Sequence, residues 1–238
     1  MNAQWEAAWQ AVIHHPLFGV AITLAAFQLS YAAYEKTRWV FLQPVLVSML
    51  MVVGVLLACG LGYEDYRLSA QMLTVMLGPA TVALAVPLYL NLRRIRELFG
   101  PIMITLLVGG ITATALGMAL AWAFGADRMV LMTLAPKSVT SPIAMLVAEQ
   151  IGGVVALAAV FVMITGILGA IFGPELLRRF GVQHPAARGM ALGLTAHAVG
   201  TAQALQESEE CGAFAALAMS LMGVLTAVLL PLAVSLSL

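Results

Sequence analysis

The chain has 238 residues, 62% of them hydrophobic and only 9% charged, with 11 Lys and Arg balanced by 11 Asp and Glu. A soluble globular protein carries about 25% charged residues, so this composition excludes a soluble core, and zero net charge gives no hint of nucleic acid or of an acidic partner. The apolar runs are long and lack the alternation of an outer-membrane strand, which leaves an all-α polytopic membrane protein whose backbone polar groups are paired inside helices.

Eight apolar segments are expected, at 16–33, 39–61, 70–90, 99–124, 129–148, 152–172, 187–205 and 212–236. The connections are short, so one transmembrane, transporter-like domain over 1–238 is expected. Before the first segment stands "MNAQWEAAWQAVIHHP", without lysine or arginine. A cleavable signal peptide starts with positive charge, so the first segment reads as a retained span. Cys59 and Cys211 lie in or beside apolar runs and read as small buried hydrophobes, not as a disulfide framework.

Three segments are broken. The third holds "LGPATVALAVP", with Pro79 and Pro87, and places Thr81 just after a proline. That hydroxyl either bonds back to its own helix or meets a ligand. The fifth holds "LAPKSVTSPIA", where Pro136 and Pro142 flank Lys137, Ser138, Thr140 and Ser141. The seventh holds "LGLTAHAVGTAQA", with Gly193 and Gly200 around His197. Thr201 lies four residues after His197, on the same face of a continuous helix, and Gln203 follows two residues on. The opening leucines Leu77, Leu134 and Leu192 are spaced by 57 and 58 residues. Broken helices at matching positions point to a transporter's binding site.

Basic residues near segment ends mark the cytoplasmic side. They are Lys36 and Arg38, then Arg93, Arg94 and Arg96, then Arg178, Arg179 and Arg188. If all eight segments crossed, the last group would lie outside. The conflict disappears if the fifth segment enters and leaves on one side. The expected architecture is therefore seven spans plus one re-entrant element, with the N-terminus outside and the C-terminus in the cytoplasm. Segments two to four then oppose segments six to eight, as two inverted repeats with discontinuous helices.

Lys137 carries the sharpest chemistry. A lysine at the bilayer centre costs ~2.5–3.5 kcal/mol on insertion scales, so it implies a partner or an anionic ligand; the alternative is a surface turn between two short helices. Hydroxyls and backbone freed by prolines surround it, and half-helix N-termini favour a carboxylate. His197 reads as a ligand contact, a proton carrier or a buried neutral histidine. Glu149 falls at a segment end, so no paired intramembrane carboxylate offers a cation site. No His-Glu-x-x-His, Gly-x-Ser-x-Gly, P-loop or Cys-x-x-Cys appears. No metal, cofactor or enzymatic activity is expected. The arginines of "LRRIRE" set topology and can touch lipid head groups.

"LGPATVALAVPLY", "LAPKSVTSPIAM" and "GLTAHAVGTAQA" together resemble the signature stretches of the LrgB/CidB family, in order, over nearly the whole chain from about Phe18 onward. The match covers Pro136, Lys137, Ser138, Val139, Thr140 and Pro142, and His197, Gly200 and Thr201. The resemblance implies a multi-pass protein of the bacterial cytoplasmic (inner) membrane. The family is called antiholin-like, for control of murein hydrolase export and lysis, and a plant chloroplast relative exchanges glycolate and glycerate. The implied function is transport of short 2-hydroxy or 2-oxo monocarboxylates such as glycolate, glycerate, lactate or pyruvate. The alternative is a regulator of lysis that transports nothing. A small LrgA/CidA-type membrane protein is the implied partner, and a second copy of the chain is another candidate. Two positions depart from the family pattern. Ser141 stands where Thr is usual, and Gln203 where a basic residue often stands, which leaves the cationic role to Lys137.

Overall fold

A computed structural model describes residues 3–37, 39 and 42–236. Arg38, one of the topology-setting residues, lies outside them. Among the described residues the regular structure is all helical, as the composition requires. The chain divides into two compact units, Met1–Ala83 and Leu84–Leu238.

The first unit holds α1 (Ala3–Ile13), α2 (Phe18–Thr37), α3 (Pro44–Cys59), α4 (Tyr63–Ser69) and α5 (Gln71–Ala83). Pro16 and its neighbours cannot continue a helix, and the chain bends by 79° between α1 and α2. At Gly60, φ is 67° and the backbone N–H returns to the Leu56 and Leu57 carbonyls. This left-handed cap, which glycine adopts without penalty, ends α3 and leads into a 115° bend before α4. Gly19 on α2 has no side chain, so its N–H reaches Ser69 Oγ at 3.1 Å. A Cβ there would stand 2.8 Å from the Ala70 nitrogen. Pro79 lies inside α5, and the interruption of the third segment comes after Ala83 rather than at the proline.

The second unit opens with α6 (Ala85–Leu90), α7 (Leu92–Glu97) and α8 (Phe99–Ile104), then a π-helical turn at Thr105–Gly109 that runs into α9 (Gly110–Ala123). After these come α10 (Arg128–Leu134), α11 (Ser141–Ile151), α12 (Val155–Arg179), α13 (Pro185–Glu207) and α14 (Glu209–Leu236). The core joins Leu106, Val139, Ala144, Val162, Leu194, Phe214 and Met222.

The fifth segment folds back on itself. After α10 and the turn 135–140, α11 carries the chain back to the last turn of α10: the Val154 N–H donates to Thr133 Oγ1 at 2.8 Å. Gly153 packs so closely that a Cβ would stand 2.8 Å from the Thr133 nitrogen. A straight helix would separate those residues by about 30 Å at 1.5 Å per residue. The expected re-entrant or sharply broken form is what the structure has.

The seventh segment also doubles back, and here the expectation of a crossing is corrected. Arg188, in the first turns of α13, pairs through two of its guanidinium nitrogens with Glu207 at its end: Nε–Oε2 is 2.8 Å and Nη2–Oε1 2.9 Å. A straight helix would hold their backbones about 28 Å apart. Gly200 presses on the Leu192 carbonyl, and Leu192 and Ala204 share one apolar cluster. The reversal is at His197, with φ 42° and ψ −127°. Two arms, 185–196 and 198–207, therefore lie side by side. Their summed length equals one crossing, which is why an apolar run could not distinguish the two forms.

Glycines make this packing close. Gly189 and Gly193 on the first arm meet the backbone of α14 at Cys211 and Ala215. On α12, Gly166, Gly169 and Gly173 receive His197, Ala196 and Leu192. Small residues bring helix backbones together where lipid supplies no hydrophobic drive. Among the described residues, four stretches are long and apolar enough to cross a membrane: Gln71–Leu90, Phe99–Ala123, Val155–Arg179 and Glu209–Leu236. The count rises to six if each bent pair of the first unit is one span.

Candidate functional site

The site is built on the turn between α10 and α11. Asp127 starts α10 by accepting from the Val130 N–H at 2.8 Å. Pro136 cannot continue that helix, and the turn closes with the Lys137 N–H on the Leu134 carbonyl at 3.0 Å. Thr140 then begins α11 with φ −67° and ψ 149°, and its side chain makes no capping bond. Pro142 has no N–H, so the amides of Ser141 and Ile143 are the first-turn donors without an acceptor in the helix.

Ala135, Pro136, Ser138 and Val139 are all buried around Lys137. The Lys137 stem crosses α9 at Gly117, where a Cβ would stand 2.7 Å from its Cε. Beyond the glycine the ammonium donates to the Ala113 carbonyl at 3.3 Å and to Ser138 Oγ at 3.4 Å. Both bonds are long for a charged donor. Among the described residues no carboxylate pairs with Lys137. The turn thus holds a cation with unused donor capacity, beside hydroxyls of Ser138, Thr140 and Ser141 and two open amides. It is a set that suits a small carboxylate.

The α13 turn carries the other expected residues. His197 is 3% exposed, and its Nε2 lies 3.0 Å from the Val162 carbonyl of α12. Thr201 Oγ1 donates to the His197 carbonyl at 2.8 Å. Gln203 is half-buried on the second arm. The structure therefore groups Lys137, Ser138, Thr140 and Ser141 at one turn and His197 and Thr201 at another, and Val139 of the first turn shares an apolar cluster with Val162. The Thr81 side chain lies outside the description.

Sequence reasoning missed the residues that seat these turns: Ala113 and Gly117 on α9, Val162 and Gly166 on α12, and the Arg188–Glu207 pair. The glycines of "ITGILGAIFG" recur on one face of α12 and were a readable packing signal. Nothing local marked the ion pair. A separate cavity of about 480 Å³ between α9 and α14 is lined by aliphatic side chains and by Thr114 and Thr226, and it holds no cation for an acid.

The model of the LrgB-like family matches residues 23–236. The chain is 36% identical to the uncharacterized protein YxaC of Bacillus subtilis (strain 168) over 215 residues, 90% of this chain and 94% of that protein. It is also 36% identical to the uncharacterized protein YwbG of the same strain over 205 residues, 86% of this chain and 91% of that one. To the antiholin-like protein LrgB of Bacillus mycoides (strain KBAB4) it is 30% identical over 218 residues, 91% of this chain and 95% of that one. No solved structure matches the chain.

Proposed function

The chain belongs to the LrgB-like family of membrane proteins, and from that premise we propose that it is a transporter of short 2-hydroxy or 2-oxo monocarboxylates, acting as one transmembrane domain. The observation that carries this reading is the Lys137 ammonium. It sits in a doubled-back turn, held among the described residues by two long bonds to neutral oxygens. Intramembrane cations pair with carboxylates or backbone carbonyls; here the carbonyl contact is long, which leaves most of the charge for an anion. In a membrane, the α10–α11 hairpin enters from the face of Asp127 and Gly152. The α13 hairpin enters from the opposite face, where Arg178, Arg179 and Arg188 lie. Each hairpin is followed by a long helix, which makes two inverted hairpin-and-span repeats. With the arginines in the cytoplasm, α14 runs outward and the C-terminus lies outside, the reverse of the orientation expected when the seventh segment is counted as a crossing. The N-terminus keeps its outside placement.

Uptake of labelled glycolate, lactate or pyruvate into vesicles holding the purified chain, with and without an LrgA/CidA-type partner, tests the reading. Absence of uptake of all three in both preparations refutes it. The name of the Bacillus relatives, antiholin-like, favours a second reading, a regulator of lysis acting with a holin-like partner. In that case Lys137→Ala leaves function unchanged.

A further inference from the structure

Among the described residues, His197 is the one non-glycine with positive φ. Its φ of 42° with ψ of −127° lies where only glycine goes freely. Such a conformation persists when the surroundings over-determine it. Three contacts do so. Nε2 stands 3.0 Å from the Val162 carbonyl oxygen, an acceptor only, so the ring must donate there. Gly166 leaves the notch the ring fills, since a Cβ would stand 2.7 Å from Cε1. Thr201 Oγ1 donates to the His197 carbonyl at 2.8 Å and closes the first turn of the second arm.

We infer that His197 is a positioning residue: its ring pins the α13 turn to α12 and so sets where the second arm, with Thr201 and Gln203, stands. The ring points into α12 and its donor is spent on a helix carbonyl. It acts on the proposed anion site through the arm, not by touching the anion. The tightness of the seam supports this, because Gly169 and Gly173 hold the first arm against the same helix. A ring lost from the notch frees the turn to relax toward an ordinary backbone conformation, and the second arm turns with it.

This inference rests on the transport reading for its kinetic consequence but not for its structural one, and the test separates them. The full chain, His197→Ala, His197→Gln and Gly166→Ala are purified and placed in vesicles. Glycolate, lactate and pyruvate uptake gives KM and Vmax, and amide hydrogen exchange over 198–201 is followed without any acid present. His197→Ala is expected to raise KM about tenfold, the scale of one buried hydrogen bond, with Vmax little changed and the 198–201 amides exchanging faster. Gly166→Ala, which keeps the histidine but crowds its ring, is expected to move KM and exchange in the same direction. His197→Gln, whose side-chain amide can donate to Val162, is expected to recover part of both. Unchanged exchange in His197→Ala overturns the inference. So does a raised KM in His197→Ala with a normal one in Gly166→Ala, which would make the ring a direct contact. If the wild-type chain moves none of the acids, the transport reading fails, and exchange alone decides the pin.

Discussion

Lys137→Ala separates a binding lysine from a structural one, because the two readings predict opposite balances of stability and flux. The present partners of the ammonium are two neutral oxygens at 3.3 and 3.4 Å. Bonds that long fall at or beyond the usual N–H···O range, so their loss costs stability less than the ~1 kcal/mol of a good one. Removing a half-buried cation also relieves its desolvation, which offsets the packing of the Lys137 stem on Gly117 that alanine gives up. Thermal stability in detergent is therefore expected to stay within about 4 °C of wild type, the shift that ~1 kcal/mol gives in a domain of this size. Binding behaves differently. A carboxylate seated at the turn would lose the one cation there, and deleting one partner of a buried charge pair costs roughly 3–5 kcal/mol. At tenfold per 1.4 kcal/mol this is more than a hundredfold in affinity. Lys137→Arg is expected to restore only part, since guanidinium is larger and its donors are fixed in a fork. Lys137→Glu is expected to be at least as damaging as alanine. The assay is acid-anion flux in vesicles at matched protein levels, with binding measured in parallel. Normal flux in Lys137→Ala would refute the argument and transfer its weight to the regulatory reading.

Three further outcomes follow from the doubled-back α13. Arg188→Ala and Glu207→Ala should each lower the melting temperature, and the double variant should add little, with a coupling of about 1–3 kcal/mol for a two-bonded, partly buried pair; additive losses would mean that the arms are not clasped. Gly193→Ala should cost roughly 1–3 kcal/mol or more of stability, because its Cβ would overlap the Ala215 backbone carbonyl, which cannot swing aside; a wild-type melting curve counts against the seam. A reporter fused after Leu236 should read outside and one in the Arg179–Pro185 connection inside, and a cytoplasmic C-terminal signal would restore α13 as a crossing.

The amino-acid sequence by itself determined the class of protein and the place of its most telling break. Hydrophobicity, the scarcity of charge and the position of proline are local properties. They suffice to require helices throughout, to stop α10 at Pro136 and to leave Lys137 in a turn. The positive-inside count also carried real information, since it demanded that one segment return to its own side. It could not say that a second one does so. A hairpin of two short arms has the length and apolar content of a single span, and His197 is no turn-former by type. Only tertiary contacts hold its backbone at positive φ: the Val162 carbonyl, the notch at Gly166 and the close seams at Gly193 and Gly200. The same applies to Arg188 and Glu207, 19 residues apart in the chain and bonded in space. Read as sequence, Arg188 is a topology signal, and nothing local ties Glu207 to it. They become one ion pair because α13 reverses at His197.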